Sequence, residues 1–263
     1  MPTITLRELA AELDAYVDPR RIPDFAPTGL QVDGGRGGTV VSKVALGVSG
    51  NLALFREAAA WGADVVLVHH GLFWASEDPE HDPARALDER RAAFLRDRGM
   101  SLIAYHLPLD AHPEVGNNAE IARLLGLADV VHDFGEIPES EATIGVVGRM
   151  DPPLPLNDLV ARANRVFARP VEAVAGGPEP VGSLAIVSGG GPGLIYAAIE
   201  RGVDAILTGE GREWIPAVAR ESGITFLASG HHASEVFGVQ ALGRWVEARF
   251  EVETKFFPQA NPF

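Results

Sequence analysis

Three short stretches of this sequence carry the residue types that hold metal ions. His69-His70-Gly71 sets two imidazoles side by side. Side chains alternate along a strand, so such neighbours serve one site only where the strand ends or where two ions are bound. The plain alternative is a polar strand end. His106-Leu-Pro-Leu-Asp110-Ala-His112 sets an imidazole and a carboxylate four residues apart. They would meet on one helical turn, although Pro108 favours a loop. Asp110 can bind metal, orient a ligating histidine, or cap a turn. Gly230-His231-His232-Ala233-Ser234-Glu235 sits at a strand-to-helix junction. His231 and Glu235, one turn apart, can face one centre. The same helix start offers free N–H groups to an anion, and Ser234 can serve as its cap.

The 263 residues include no cysteine. Thiolate sites, disulfides and cysteine nucleophiles are excluded, and any metal must be held by imidazole nitrogen and carboxylate oxygen. Such donors suit Zn, Fe, Mn or Ni rather than Cu(I). Two divalent ions about 3.5–4 Å apart need a bridging carboxylate or hydroxide. Asp110 and Glu235 supply the carboxylates. Glu210 and Glu213, after LTGE, are acid/base candidates or helix-start carboxylates. The loop Ser188–Gly193 (SGGGPG) follows a strand and precedes a helix, where a phosphate could sit. It matches neither phosphate-binding glycine pattern and has no following lysine, so a tight turn is the competing reading.

The elements expected to position these groups alternate strand and helix. An amphipathic helix over 3–17 shows Leu6, Leu9, Leu13 and Val17 at helical spacing. A Pro/Gly-rich loop follows at 23–38. Strands at 40–48, 64–70 and 101–106 are separated by helices at 51–61 and 84–98, and a further helix covers 117–125. A second βα series begins at 143–148, with a turn at 152–155 and a helix over 156–168. It continues with strands at 183–191, 203–210 and 224–232, between helices at 192–201 and 212–222. A last helix, about 235–249, leads to a closing strand, VETKFFP. This rhythm predicts an α/β fold of two domains with mostly parallel sheets. The first is 1–128, with 231–263 packing back onto it, and the second is 129–230. Ligands of such sheets bind beyond the carboxyl ends of the strands, where five of the eight histidines (69, 70, 106, 231, 232) fall.

Composition narrows the setting. No apolar run reaches the roughly 18 residues of a membrane span. The opening MPTITLRELAAELDAYV has Arg and Glu where a secretory signal would be apolar, so a cytoplasmic location is expected. A net charge of −14 repels nucleic-acid phosphates and argues against broad binding to them. The Arg-rich stretch RALDERRAAFLRDR is interleaved with Asp and Glu and reads as a solvated helix face.

Taken together, GLQV (29–32), ADVVLVHHG (63–71), HLPLDAHPEVGNNAEIA (106–122), LTGE (207–210) and GHHASE (230–235) resemble the Nif-three-like dinuclear metal proteins, also called GTP cyclohydrolase I type 2 homologues. The likeness runs from the first helix to the terminal NPF and fits the short form without an inserted domain. Thr28 replaces the Asn common before GLQV. The resemblance implies two α/β domains with two divalent ions in the cleft between them. It implies His69, His70, Asp110, His231 and Glu235 as ligands, with His106 close by. It also implies a toroidal homohexamer, a trimer of dimers. The activity expected is metal-dependent hydrolysis of a small nucleotide or phosphoester-like substrate, with His106 as first candidate for proton transfer and Glu210 as second. The alternative is a protein that stores, delivers or senses metal without turnover.

Overall fold

The structure is a computed structural model that describes residues 1–35, 37–75 and 82–263. Its strands are β1 (Ile4–Thr5), β2 (Gly29–Val32), β3 (Val40–Val41), β4 (Lys43–Ser49), β5 (Val65–His70), β6 (Ser101–Ala104), β7 (Ala128–Glu136), β8 (Thr143–Leu154), β9 (Glu172–Val174), β10 (Val181–Val187), β11 (Ala205–Thr208), β12 (Thr225–Ala228) and β13 (Glu253–Phe256). Its helices are α1 (Leu6–Val17), α2 (Leu52–Trp61), α3 (Pro83–Arg96), α4 (Leu107–Asp110), α5 (Asn117–Leu125), α6 (Leu156–Phe167), α7 (Ile195–Arg201), α8 (Ile215–Ser222), α9 (His231–Ser234) and α10 (Val236–Glu247). The chain divides into two compact units, 1–109 with 238–260 and 110–237 with 261–263. The sequence pattern sets these crossings at 128/129 and 230/231 instead.

In the first unit, α1 is started by a reciprocal cap. The Thr5 hydroxyl accepts the Glu8 N–H, and the Glu8 carboxylate accepts the Thr5 N–H at 2.9 Å. Leu6, Leu9, Leu13 and Val17 are its buried stripe, as their spacing predicts. The main sheet runs β13-β4-β5-β6-β2, with β2 antiparallel to β6 and the other pairings parallel. Val65 to Val68 of β5 are almost wholly inaccessible, which is why that strand reads as a continuous apolar run rather than an alternating one. Helices α2 and α3 make the crossovers that parallel pairing requires, and Leu54, Phe55, Ala58, Ala92 and Leu95 carry their buried faces. The carboxyl ends of β4 and β5 finish level, with Ser49 opposite His70.

The second unit has a mixed sheet in the order β7-β8-β10-β11-β12-β9. Only β10, β11 and β12 are mutually parallel, and the flanking strands run antiparallel. Successive β10 residues serve opposite faces. Leu184 and Ile186 pack with Leu159 and Ala163 of α6, while Ala185 and Val187 pack with Ile195 and Ala198 of α7. Four strands lie outside the pattern read from sequence, the first being β1, which takes the opening residues of the helix expected over 3–17. β2 occupies part of the expected 23–38 loop, of which residue 36 lies outside the described residues. β7 and β9 bury too few side chains to show an apolar period. β8 also continues through the expected turn at 152–155, where Leu154 pairs with Val181 beyond a bulge. No described helix is long and apolar enough to cross a membrane.

Candidate metal centre

The first unit gathers three imidazoles at the strand ends. His69 and His70 finish β5, and His106 follows β6 by two residues. One ring nitrogen from each lies within 4.8 Å of the others, so the group can hold a metal ion. Adjacent strand residues would ordinarily diverge. Here β5 stops, and the two rings sit 4.6 Å apart, tilted by 44°. The ending is held by Gln31 of the GLQV stretch, whose side chain accepts the Leu72 N–H and donates to the Pro27 carbonyl, each at 2.6 Å. Gln31 lies against the Cα of Gly71, where any side chain would overlap it.

Each imidazole in this group is held through Nδ1. That of His69 donates to the Tyr105 carbonyl oxygen at 2.9 Å, because a carbonyl can only accept. That of His70 lies 3.0 Å from Ser49 Oγ, and that of His106 lies 3.0 Å from Asp24 Oδ1. Metal-ligating histidines are typically oriented in this way, with one nitrogen engaged by a protein group and the other turned to the ion. The expected loop at Pro108 is instead the single turn α4. Proline sits in its first turn, where its missing N–H costs nothing.

The second unit carries the acidic ligand candidates. Asp110 is 4% exposed, and its Oδ1 accepts two hydrogen bonds, from Asn117 Nδ2 at 2.7 Å and from Ser188 Oγ at 2.8 Å. Glu235 is 2% exposed and faces His231 across the α9 turn, with 3.1 Å between Oε1 and Nε2. On the far side of the ring, His231 Nδ1 meets Glu210 Oε1 at 2.6 Å. The other Glu210 oxygen lies 3.1 Å from Arg212 Nη2. With both oxygens engaged, Glu210 orients His231. Ser234 is a clamp rather than a helix cap, since its hydroxyl donates to the His231 carbonyl and accepts the Gly189 N–H at 2.8 Å.

The loop SGGGPG is thereby explained. Ser188 holds Asp110, and the next residue, Gly189, has φ +64° with its Cα against the Glu235 carboxylate. A methyl group at Gly189 would overlap Glu235 Oε1 and lie 3.2 Å from His231 Nε2. The glycine therefore makes room for a carboxylate of the protein itself.

The hydrogen bond that His231 donates to Glu235 pushes the imidazole up to about 9, with the charges of Glu235 and Glu210 behind it and burial opposing it. The imidazolium ring thus lies between two carboxylates, and a cation on the Glu235 side would take the place of the Nε2 proton. Donors, burial and the glycine cradle all fit a divalent ion held by nitrogen and oxygen. His69, His70 and His106 come together in the first unit. His231, Glu235 and Glu210 come together in the second, and Asp110 shares the 188–189 loop with Glu235. Sequence reasoning missed Asp24, Ser49, Asn117 and Ser188. Of these, Asn117 lies inside the HLPLDAHPEVGNNAEIA stretch and Ser188 opens the SGGGPG loop. His112, the third polar residue of HLPLDAH, accepts the N–H groups of Glu114 and Val115 and secures the turn.

Residues 4–262 match the family model described as Duf34/NIF3 (NGG1p interacting factor 3). A Pseudomonas aeruginosa protein named "GTP cyclohydrolase 1 type 2 homolog" is 42% identical over 259 residues, covering 98% of this chain and 99% of that one. Among solved structures, protein ybgI, described as of unknown function, aligns with TM-score 0.88 at 36% identity over 99% of this chain and 100% of its own. TTHA1606 from Thermus thermophilus aligns with TM-score 0.84 at 34% identity over the same shares.

Proposed function

The chain belongs to the Duf34/NIF3 family, and from that premise we propose that it is a dinuclear metal-dependent hydrolase. His69, His70, Asp110, His231 and Glu235 would hold two divalent ions. The observation that carries this reading is how the imidazoles are set. His69, His70 and His231 each have Nδ1 engaged, by Tyr105 O, Ser49 Oγ and Glu210 respectively, so Nε2 is the nitrogen that would face the ion. Two such cations would bring the pKa of a bound water toward neutrality and polarise the bond under attack. His106 would accept a proton from that water. Glu210 keeps the His231 ring in place, and Asp110 and Glu235 offset the repulsion between the cations.

The substrate is a small nucleotide or phosphoester, and six chains assemble as a ring in the cytoplasm. Light scattering at a mass near six chains supports that assembly, and a monomer at micromolar concentration removes it. The site is tested by Glu235→Gln and Asp110→Asn, which keep side-chain shape and remove charge. Each variant loses at least one metal and any hydrolytic turnover, whereas the exposed Glu213→Gln keeps both. Full occupancy in Glu235→Gln would dismiss this ligand set. A turnover screen of metal-loaded protein against nucleotides and generic phosphoesters tests the reaction. No turnover, with readily exchanged metal, would replace hydrolysis by metal storage or delivery.

A further inference from the structure

We propose that Asp24 is a positioning residue that fixes His106 in the Nδ1–H tautomer, so that the Nε2 lone pair is the one offered to the centre. The functional consequence rests on His106 acting as proton acceptor, as proposed above.

Asp24 lies 82 residues before His106 in the chain, yet the two side chains form a buried pair 5% and 10% exposed. Its Oδ1 meets His106 Nδ1 at 3.0 Å and accepts the Ala26 N–H at 2.9 Å. Its Oδ2 accepts the Leu107 N–H at 2.9 Å. An ionised carboxylate is acceptor-only, so the hydrogen in the pair belongs on the imidazole Nδ1. The same carboxylate grips the backbone of the very next residue, Leu107, so ring and main chain are fixed together. Two aromatic rings restrict the imidazole further, Trp74 at 4.9 Å and Phe25 at 5.2 Å between centroids, both edge-to-face. The remaining freedom of His106 is the choice of tautomer, and Asp24 removes it.

A purely structural Asp24 would do no more than hold the Ala26 and Leu107 N–H groups. Asparagine separates the two roles. With its carbonyl oxygen kept on the Leu107 N–H, its amide faces Nδ1 as a donor and inverts the tautomer, at the cost of the Ala26 hydrogen bond.

The test is solid-state NMR on sedimented, zinc-loaded full chain with ¹⁵N-labelled histidine, the His106 signals being assigned by their loss in His106→Asn. The expected result is Nδ1–H in the wild type and a majority of Nε2–H in Asp24→Asn, with zinc content unchanged. Turnover, where the screen finds a substrate, falls about 10- to 100-fold at unchanged KM. An Nε2–H wild-type ring, an unchanged tautomer in Asp24→Asn, or loss of zinc from that variant would overturn the proposal. Should Asp24→Asn fail to fold, the wild-type tautomer and a through-space signal from Nδ1–H to the Asp24 carboxylate decide it. A chain without turnover that shows these tautomers overturns the hydrolase reading and leaves the Asp24 assignment standing.

Discussion

Gly189→Ala changes one hydrogen to a methyl group at a buried position, and it should displace the Glu235 carboxylate from His231. Two penalties act together. The backbone at φ +64° is a left-handed conformation that costs an L-residue about 1–2 kcal/mol. The methyl also overlaps the Glu235 carboxylate, which is 2% exposed and tied to His231, so it has little room to retreat. Overpacking of this kind costs about 1–3 kcal/mol where the neighbours must shift. The backbone penalty alone corresponds to a fall of roughly 2–8 °C in melting temperature for a chain of this size. Displacement of Glu235 then appears as weaker metal binding. Calorimetric unfolding of the metal-free protein and zinc titration of the refolded variant read the two effects separately. Gly193→Ala in the same loop, with no atom within 4 Å of the added carbon and no positive φ, should match the wild type in both. Wild-type melting temperature and zinc affinity in Gly189→Ala would refute the view that this glycine exists to admit Glu235.

Three further outcomes follow from the same geometry. Glu210→Ala leaves the His231 ring without its Nδ1 acceptor, so zinc affinity should drop about 10- to 100-fold with the fold intact, as judged by circular dichroism and titration. Ser188→Ala removes a donor to buried Asp110 and should cost about 1.5–3 kcal/mol in denaturant unfolding of the metal-free protein, an unchanged midpoint arguing against that hydrogen bond. The His231 imidazole, raised to about 9 in the metal-free fold, gives a signed pH dependence. Its contribution to stability is fully present below its ordinary value near 6.5 and is lost as pH rises through about 9. Zinc must displace that proton, so apparent affinity should rise with pH up to about 9, one proton being released from this group. Affinity flat between about pH 6.5 and 9 would show that His231 is not a ligand.

Much of the architecture was legible because its signals are local. The apolar runs at 65–68 and 102–104 announce buried strands, and the histidines just beyond them announce a site at the sheet's carboxyl edge. GHHASE was equally readable, since His231 and Glu235 meet across one turn. The groups that orient the ligands were not. Ser188 reaches Asp110 across 78 residues and Asp24 reaches His106 across 82, and no residue pattern advertises either pairing. The glycine loop was legible as a special backbone, but a sequence cannot say whether a bare Cα faces a phosphate or a carboxylate of the same chain. The flanking strands β7 and β9 escaped because half-exposed edges need no apolar alternation.

Metal stoichiometry tests the proposed dinuclear centre most directly. The full chain, stripped by chelation, is titrated with zinc, followed by calorimetry, and its retained metal is measured by elemental analysis after gel filtration. Two zinc ions bound per chain is the expected result. A single saturable site per chain, or no zinc retained, would contradict it.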